Sequence, residues 1–305
     1  MKLLWLDLNS SYAHSSLALP ALHAQIADDT TIEWCIVSAT INENTGMVVS
    51  RIHKHRPDII AATNWLFNHE QLLHIISRAK ALLPHCCIVL GGPEFLGNNE
   101  AFLYKNKFVS GVFRGEGEEV FPQWLKVWNH SKETWKSITG LCYLDENGRY
   151  QDNGIARVMN FSQLVSPEKS CFFNWSKPFV QLETTRGCFN TCAFCVSGGE
   201  KPVRTIPLEA IRERLNDIHQ HGIKNVRVLD RTFNYNNKRA KELLDLFRQY
   251  PDICFHLEIH PALLSEELKQ ELSVLPKGLL HLEAGIQSLK ESVLQQSRRI
   301  GKLSD

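Results

Sequence analysis

"FVQLETTRGCFNTCAFC" (residues 179–195) begins as a strand and ends as a cysteine loop. Residues 179–185 form a short apolar-rich run that reads as a strand. Three thiols follow within eight residues, spaced Cys188-x3-Cys192-x2-Cys195. Thiolates are soft ligands that suit zinc or iron–sulfur clusters. Structural zinc normally takes four ligands from two short-spaced pairs, and iron–sulfur clusters usually take four thiolates. This loop offers three, and nothing pairs with Cys171 at short spacing. A zinc ion would need a fourth ligand from elsewhere, whereas a cluster would keep one iron open.

Downstream of the loop, strands and helices alternate. The sequence predicts helices at 207–222, 237–250 and 265–275 and strands at 226–230, 254–259 and 279–288, with a last helix after them. Leu208, Ile211, Leu215 and Ile218 share one helix face, Gly222 is placed to stop that helix, and Ser265 is placed to cap the third. Four consecutive βα units suggest part of a barrel, whose chemistry lies at the C-terminal ends of its strands. The cysteine loop follows such an end.

Upstream, the same alternation starts afresh. Strands are expected at 2–8, 31–39, 57–65, 87–92 and 111–119. Helices are expected at 15–27, capped by Ser15 or Ser16, around 46–55, at 69–83 and at 118–128. Such an order implies a parallel sheet covered on both faces, and right-handed crossovers favour a doubly wound, flavodoxin-like domain. Asn147-Gly148 signals a hairpin within 140–152. The fold class is therefore α/β: a Rossmann-like doubly wound domain over 1–152, a linker over 153–178, and a partial barrel over 179–305. Only four βα units are visible, so the barrel reads as truncated or as completed differently.

Composition sets further bounds. A chain of 305 residues exceeds one typical domain and can bury enough surface to fold without disulfides. A net charge of +1 gives no bulk reason to expect nucleic acid or an anionic membrane. Asp7 interrupts the first apolar run, no signal-peptide cleavage site follows, and no segment has bilayer-spanning length, so the reading is cytoplasmic. Nine cysteines, an odd count, then read as thiols or metal ligands.

With Phe194 before its third cysteine, the motif resembles the radical S-adenosylmethionine superfamily. The resemblance implies that Cys188, Cys192 and Cys195 hold a [4Fe–4S] cluster and that S-adenosylmethionine chelates the open iron. It also implies reductive cleavage to a 5′-deoxyadenosyl radical, with an external electron donor such as a flavodoxin or ferredoxin. Phe194, Asp230, Thr232, Glu258, Glu283, Gln287 and Ser288, in the cluster loop or near later strand ends, become candidate S-adenosylmethionine contacts. "EAGIQS" (283–288) resembles the family's fourth-strand segment. Many members carry Gly-Gly-Glu after the second strand. Here Gly198-Gly199-Glu200 follows the cluster loop instead, so that role passes to Asp230 or Thr232.

A flavodoxin-like domain ahead of such a barrel resembles the cobalamin-binding subfamily. "LNSSYAHSSLAL" (8–19), "GGPE" (91–94) and "FRGEGEEVF" (113–121) look like its segments. The resemblance implies cobalamin contacts at Ser10, Ser11, Gly91, Gly92, Pro93, Glu94, Gly115 and Glu116. Gly91 and Gly92 would let a bulky ligand tail approach the backbone. The DxHxxG box is absent and Asp7 and His14 have the wrong spacing, so binding without a histidine ligand is expected. The implied function is cobalamin-dependent methyl transfer to an unnamed substrate. A cobalamin-dependent rearrangement or cyclisation, or a non-catalytic cobalamin- or metal-binding module, are the alternatives.

Other motifs are weaker. "GEGEE" (115–119) lacks the third glycine of a dinucleotide loop and puts carboxylates where phosphates would sit. The pairs His53/His55 and His219/His221 do not share a helix face. Cys35, Cys86, Cys87, Cys142 and Cys254 lie in apolar strand contexts and read as buried thiols, which argues against a second cluster and hence against a methylthiotransferase.

Overall fold

The first strand, β1 (Lys2–Asn9), is apolar from Leu3 to Leu6 and again at Leu8 because both of its faces are covered. Leu4, Leu6 and Leu8 pack into one core, Leu3 and Trp5 into another. The computed structural model describes residues 1–11, 16–197 and 200–300. The chain divides into two units: Met1–Val158 with Leu164–Phe173, and Met159–Gln163 with Asn174–Asp305.

In the first unit, α1 (Ala18–Ala24), β2 (Glu33–Thr40), α2 (Thr45–His55), β3 (Ile59–Thr63), α3 (His69–Leu82) and β4 (Cys87–Gly91) follow in turn. After them come α4 (Glu100–Lys105), β5 (Gly111–Phe113) and α5 (Val120–Leu125). The parallel strands run β2-β1-β3-β4-β5, the flavodoxin-like order. Val48, Leu72 and Leu103 bring α2, α3 and α4 to one face, and Leu19 and Trp124 bring α1 and α5 to the other. Asn44 caps α2 through Met47 N–H. The cap expected for α1 is different: Leu17 stands there, and the Ser16 hydroxyl accepts from Ala18 N–H, while Ser15 lies outside the described residues.

The hairpin forms β6 (Leu141–Leu144) and β7 (Tyr150–Asp152). It does not stand apart: β6 pairs antiparallel with β5 and extends the sheet. Leu141, Cys142 and Tyr143 are buried, which anchors it there. Residues 153–178 also differ from the linker expected. Gln25 makes a two-point bond to the Val165 backbone, and His23 Nδ1 lies 2.9 Å from Ser170 Oγ. Phe173, Glu168 and Ser170 are buried, so Leu164–Phe173 belongs to the first unit. Phe161 goes the other way, with the Arg186 and Arg204 guanidinium groups at 5.4 and 5.7 Å from its ring.

In the second unit, β8 (Val180–Leu182), β11 (Asn225–Val228), β12 (Cys254–Ile259) and β13 (Leu280–Ala284) form a parallel sheet in sequence order. Between β8 and β11 lie β9 (Thr185–Arg186), β10 (Arg204–Thr205) and α6 (Leu208–Gln220). The helices α7 (Asn237–Phe247), α8 (Glu266–Ser273) and α9 (Glu291–Gln296) follow β11, β12 and β13. Val180, Leu182, Val226, Val228, Phe255 and Leu257 are buried and alternate with polar residues. Phe247 of α7 stacks on Phe255 at 4.0 Å, which marks the helical side of the sheet. No helix among the described residues is long and apolar enough to cross a membrane.

Candidate functional site

The strand expected over 179–185 stops at Leu182. Thr185 and Arg186 turn away to pair antiparallel with Thr205 and Arg204, closing the base of the loop from Gly187 to Val203. Gly187 has φ +93°, and a Cβ there would sit 2.5 Å from Glu200 O, so only glycine lets the two arms of the loop cross. Cys188 N–H donates to the same Glu200 carbonyl at 3.0 Å. Farther on, Cys195 N–H donates to Cys192 O, and Ala193 N–H donates to Ser297 O just past α9. Cys188 and Cys192 are buried, Cys195 is exposed, and Phe194 is 57% exposed beside it.

All nine cysteines are free thiols. Among the described residues, no three His, Cys, Asp or Glu side chains stand close enough to share one metal ion. A tetrahedral zinc needs its thiolates within about 4 Å of one another, given Zn–S bonds of about 2.3 Å. A cubane binds each thiolate to a different iron and tolerates wider spacing. Three soft donors in one loop closed at its base would leave a zinc ion short of its usual fourth ligand and a cluster with one open iron.

The strand-end candidates divide. Asp230 is 1% exposed and points into its own protein. Its Oδ1 accepts from Thr184 N–H at 2.8 Å and Thr185 N–H at 2.9 Å, and its Oδ2 accepts from the Thr184 hydroxyl. Burial pushes its pKa up, against the downward pull of those bonds. Thr184 O in turn accepts from Ile206 N–H, beyond the far arm of the loop. The structure thus makes Asp230 a clamp at the loop's base, its carboxylate bonded to Thr184 and Thr185. Glu183 beside it bonds Arg186 Nη2 at 2.8 Å. Burial would raise its pKa, but Arg186, with Arg214 and Arg231, holds it below the usual carboxylate range.

Thr232 is half-buried, its hydroxyl donating to Arg231 O. Glu258 and Glu283 belong to a polar network: Arg227 Nη2 lies 3.2 Å from Glu258 and 3.8 Å from Glu283, which also lies 2.9 Å from His256 Nε2. Gln287 is exposed with φ 65°, in the left-handed region that favours glycine. The Ser288 hydroxyl accepts from Lys290 N–H. Sequence reasoning missed Arg227, His256 and His281, although the alternation in "VRV", "FHLE" and "LHLE" signals them. Glu200 is present as a backbone acceptor, and Gly198 and Gly199 lie outside the described residues.

In the first unit, Ser10 and Ser11 follow β1, Gly91 ends β4, Gly92, Pro93 and Glu94 follow it, and Gly115 and Glu116 follow β5. All stand at the edge where open α/β sheets bind ligands. Two of the glycines serve the protein itself. A Cβ on Gly92, at φ +112°, would meet Asn64 O at 2.5 Å, and one on Gly115, at φ +101°, would meet Ala156 O at 2.2 Å. A Cβ on Gly91 would approach only Phe113 Cβ, at 4.0 Å, so Gly91 alone keeps the bare surface expected of the pair. Glu116 is likewise committed in part, one carboxylate oxygen accepting from Val158 N–H at 2.7 Å. His14 lies outside the described residues.

A feature the sequence reading passed over lies after β3. Leu66 is 82% exposed, Phe67 is exposed, and Trp65 stacks on Phe67 at 6.2 Å. Buried Asn68 supports this apolar lip: its Oδ1 accepts from Trp65 N–H, and its Nδ2 donates to Leu8 O and Thr63 O. Those two carbonyls belong to β1 and β3, the strands that flank the switch point.

Family models match both halves: the B12 binding domain over residues 8–125 and the radical SAM superfamily over residues 182–305. The chain carries a radical SAM domain and a B12-binding domain. An uncharacterized methyltransferase of Pyrococcus horikoshii is 29% identical over 201 residues, 63% of this chain and 43% of that protein. The cobalamin-dependent radical SAM methyltransferase TokK of Streptomyces tokunonensis is 20% identical over 188 residues, 58% of this chain and 28% of that protein. The chain thus spans less than half the length of these relatives. Among solved structures, the methyltransferase TsrM of Kitasatospora setae, with cobalamin and a [4Fe–4S] cluster bound, superposes with a TM-score of 0.75. That match has 15% identity and covers 99% of this chain and 63% of the other. At that identity the likeness speaks to the fold.

Proposed function

We propose that this radical SAM protein works in a cobalamin-dependent methyltransferase. The observation that carries the reading is the loop closed at its base, with Cys188, Cys192 and Cys195 its only thiols, at the C-terminal end of β8. These thiolates would hold a [4Fe–4S] cluster with one iron left for S-adenosylmethionine, and Gly91 and the Trp65–Phe67 lip would face cobalamin. When bound, the cluster would supply the electron that cleaves S-adenosylmethionine, and cobalamin would supply the methyl group. Asp230 holds the loop's base through Thr184 and Thr185. The exposed Phe194 and Gln287, with the half-buried Ser288 and Thr232, remain the proposed S-adenosylmethionine contacts. The methyltransferase names of the relatives support methyl transfer over cyclisation.

Anaerobic reconstitution with iron, sulfide and hydroxocobalamin tests this. One cluster and one cobalamin per chain are expected, with a reduced-cluster resonance that changes on adding S-adenosylmethionine. Stoichiometric zinc with no iron uptake would overturn the reading.

A further inference from the structure

The four-stranded sheet of the second unit has two unlike faces. One is apolar and carries the helices. On the other, Gln181, Arg227, His256 and His281 stand in one row across all four strands, and Glu258 pairs with Glu283 in the next row. Strand alternation sets this arrangement, since every second residue points to the same side. Barrels commonly fill that side with branched apolar side chains in packed layers. Six polar side chains do not fill a core in that way: away from water, their polar atoms need one another or a further polar group as partners.

These side chains are organised. Arg227 Nη2 bridges Glu258 Oε1 at 3.2 Å and Glu283 Oε2 at 3.8 Å. His256 Nε2 approaches the same Glu283 oxygen at 2.9 Å, and its ring stacks on His281 at 4.6 Å. Two carboxylates share one guanidinium, so carboxylates outnumber guanidinium groups in the network. Among the described residues it is not a cage for a metal ion. The geometry points to a subsite for a polar substrate that carries a protonated amine, seated against Glu258 and Glu283 with the stacked imidazoles as a wall. A hydrocarbon-like substrate would strip water from these charges and return no bond. The inference rests on the reading of this unit as the catalytic barrel and adds the class of substrate.

The test is a titration of the full chain carrying its oxidised cluster and histidine labelled with 13C at Cε1. n-Butylammonium, n-butanol and butyrate are the probes, and His256→Gln and His281→Gln assign the two signals. n-Butylammonium should move both signals and bind about fivefold more tightly than the other two, a factor within reach of an exposed ion pair. In Glu283→Gln that preference should vanish while iron content stays unchanged. Equal binding of the three probes, or none of n-butylammonium, would overturn the inference. So would loss of the S-adenosylmethionine response in Glu283→Gln, which would assign the face to that cofactor. A parent chain that takes no cluster would strike the proposed function instead, and the same titration would still read the amine subsite.

Discussion

The two parallel sheets use their faces differently. The first unit's sheet is sealed on both sides: Leu4 and Leu6 pack into one core, Leu3 and Trp5 into the other. Only its C-terminal edge, with Gly91 and the Trp65–Phe67 lip, is left for a ligand. The second unit's sheet is covered on one side over β8, β11 and β12, and its other side carries Arg227, His256, Glu258, His281 and Glu283. Such a sheet can hold one group at its edge, where the cysteine loop lies, and a second on its open face. On the proposed function, the first sheet would use its edge alone, whereas the second would use edge and face at once.

The sharpest way to break this comparison is to exchange the roles of the thiols. Cys188→Ala, Cys192→Ala or Cys195→Ala should each abolish cluster uptake, read as iron per chain, because two remaining thiolates anchor a cubane poorly. Cys86 is the counterpart in the sealed sheet: burial and the neighbouring Cys87 push its pKa up to about 12, so it stays a protonated thiol. Cys86→Ala should leave iron content intact and cost on the order of 1 kcal/mol. Iron lost equally from a Cys86 variant would mean that the sealed unit also holds metal.

The second test compares the faces themselves. Ile60, fully buried in β3, should cost about 3 kcal/mol as Ile60→Ala in urea unfolding followed by tryptophan fluorescence. His281→Ala, on the open face, should stay within about 0.5 kcal/mol. A large loss at His281 would show that its face is a core in disguise.

Much of this contrast was legible in the sequence, for local reasons. The thiol spacing, the βα alternation and the period-2 pattern of "FHLE" all reside within a few residues. What was not legible depends on contacts far apart in the chain. Asp230 looked like a free strand-end carboxylate, and only the fold brings it to Thr184, 46 residues away. Gly91 and Gly92 looked alike, and only the neighbouring β3 turn separates them, by placing Asn64 O against Gly92. The hairpin was visible through Asn147-Gly148, yet its attachment to β5 depends on pairing that no turn signal encodes.

That pair of glycines gives the third test. Gly92→Ala should cost about 1–3 kcal/mol through backbone strain and a clash with Asn64, with or without cobalamin. Gly91→Ala should keep its unfolding midpoint and weaken hydroxocobalamin binding, measured by absorbance titration. Unchanged affinity in Gly91→Ala would move the ligand away from the end of β4.

The smallest effect expected is a pH dependence confined to the sealed unit. His23 is buried between Trp34 and Phe172, its ring centroid 5.2 and 4.6 Å from theirs, and its Nδ1 meets Ser170 Oγ. Burial lowers its pKa below the ordinary histidine value, so the folded protein keeps the ring neutral where the unfolded chain would protonate it. The unfolded state then binds more protons, and stability falls with falling pH. The contribution is fully present above about pH 6.5, the unfolded value, and is lost progressively as the pH drops through the lowered folded value. Because His23 pins Leu164–Phe173 to α1, that strap should loosen first, read as faster amide exchange around Ser170 at pH 5 than the intrinsic rate predicts. His23→Phe should flatten the dependence, since the replacement has no proton to gain. A pH profile identical in parent and variant would remove His23 from the account and leave the two hydrogen bonds between Gln25 and Val165 to hold the strap.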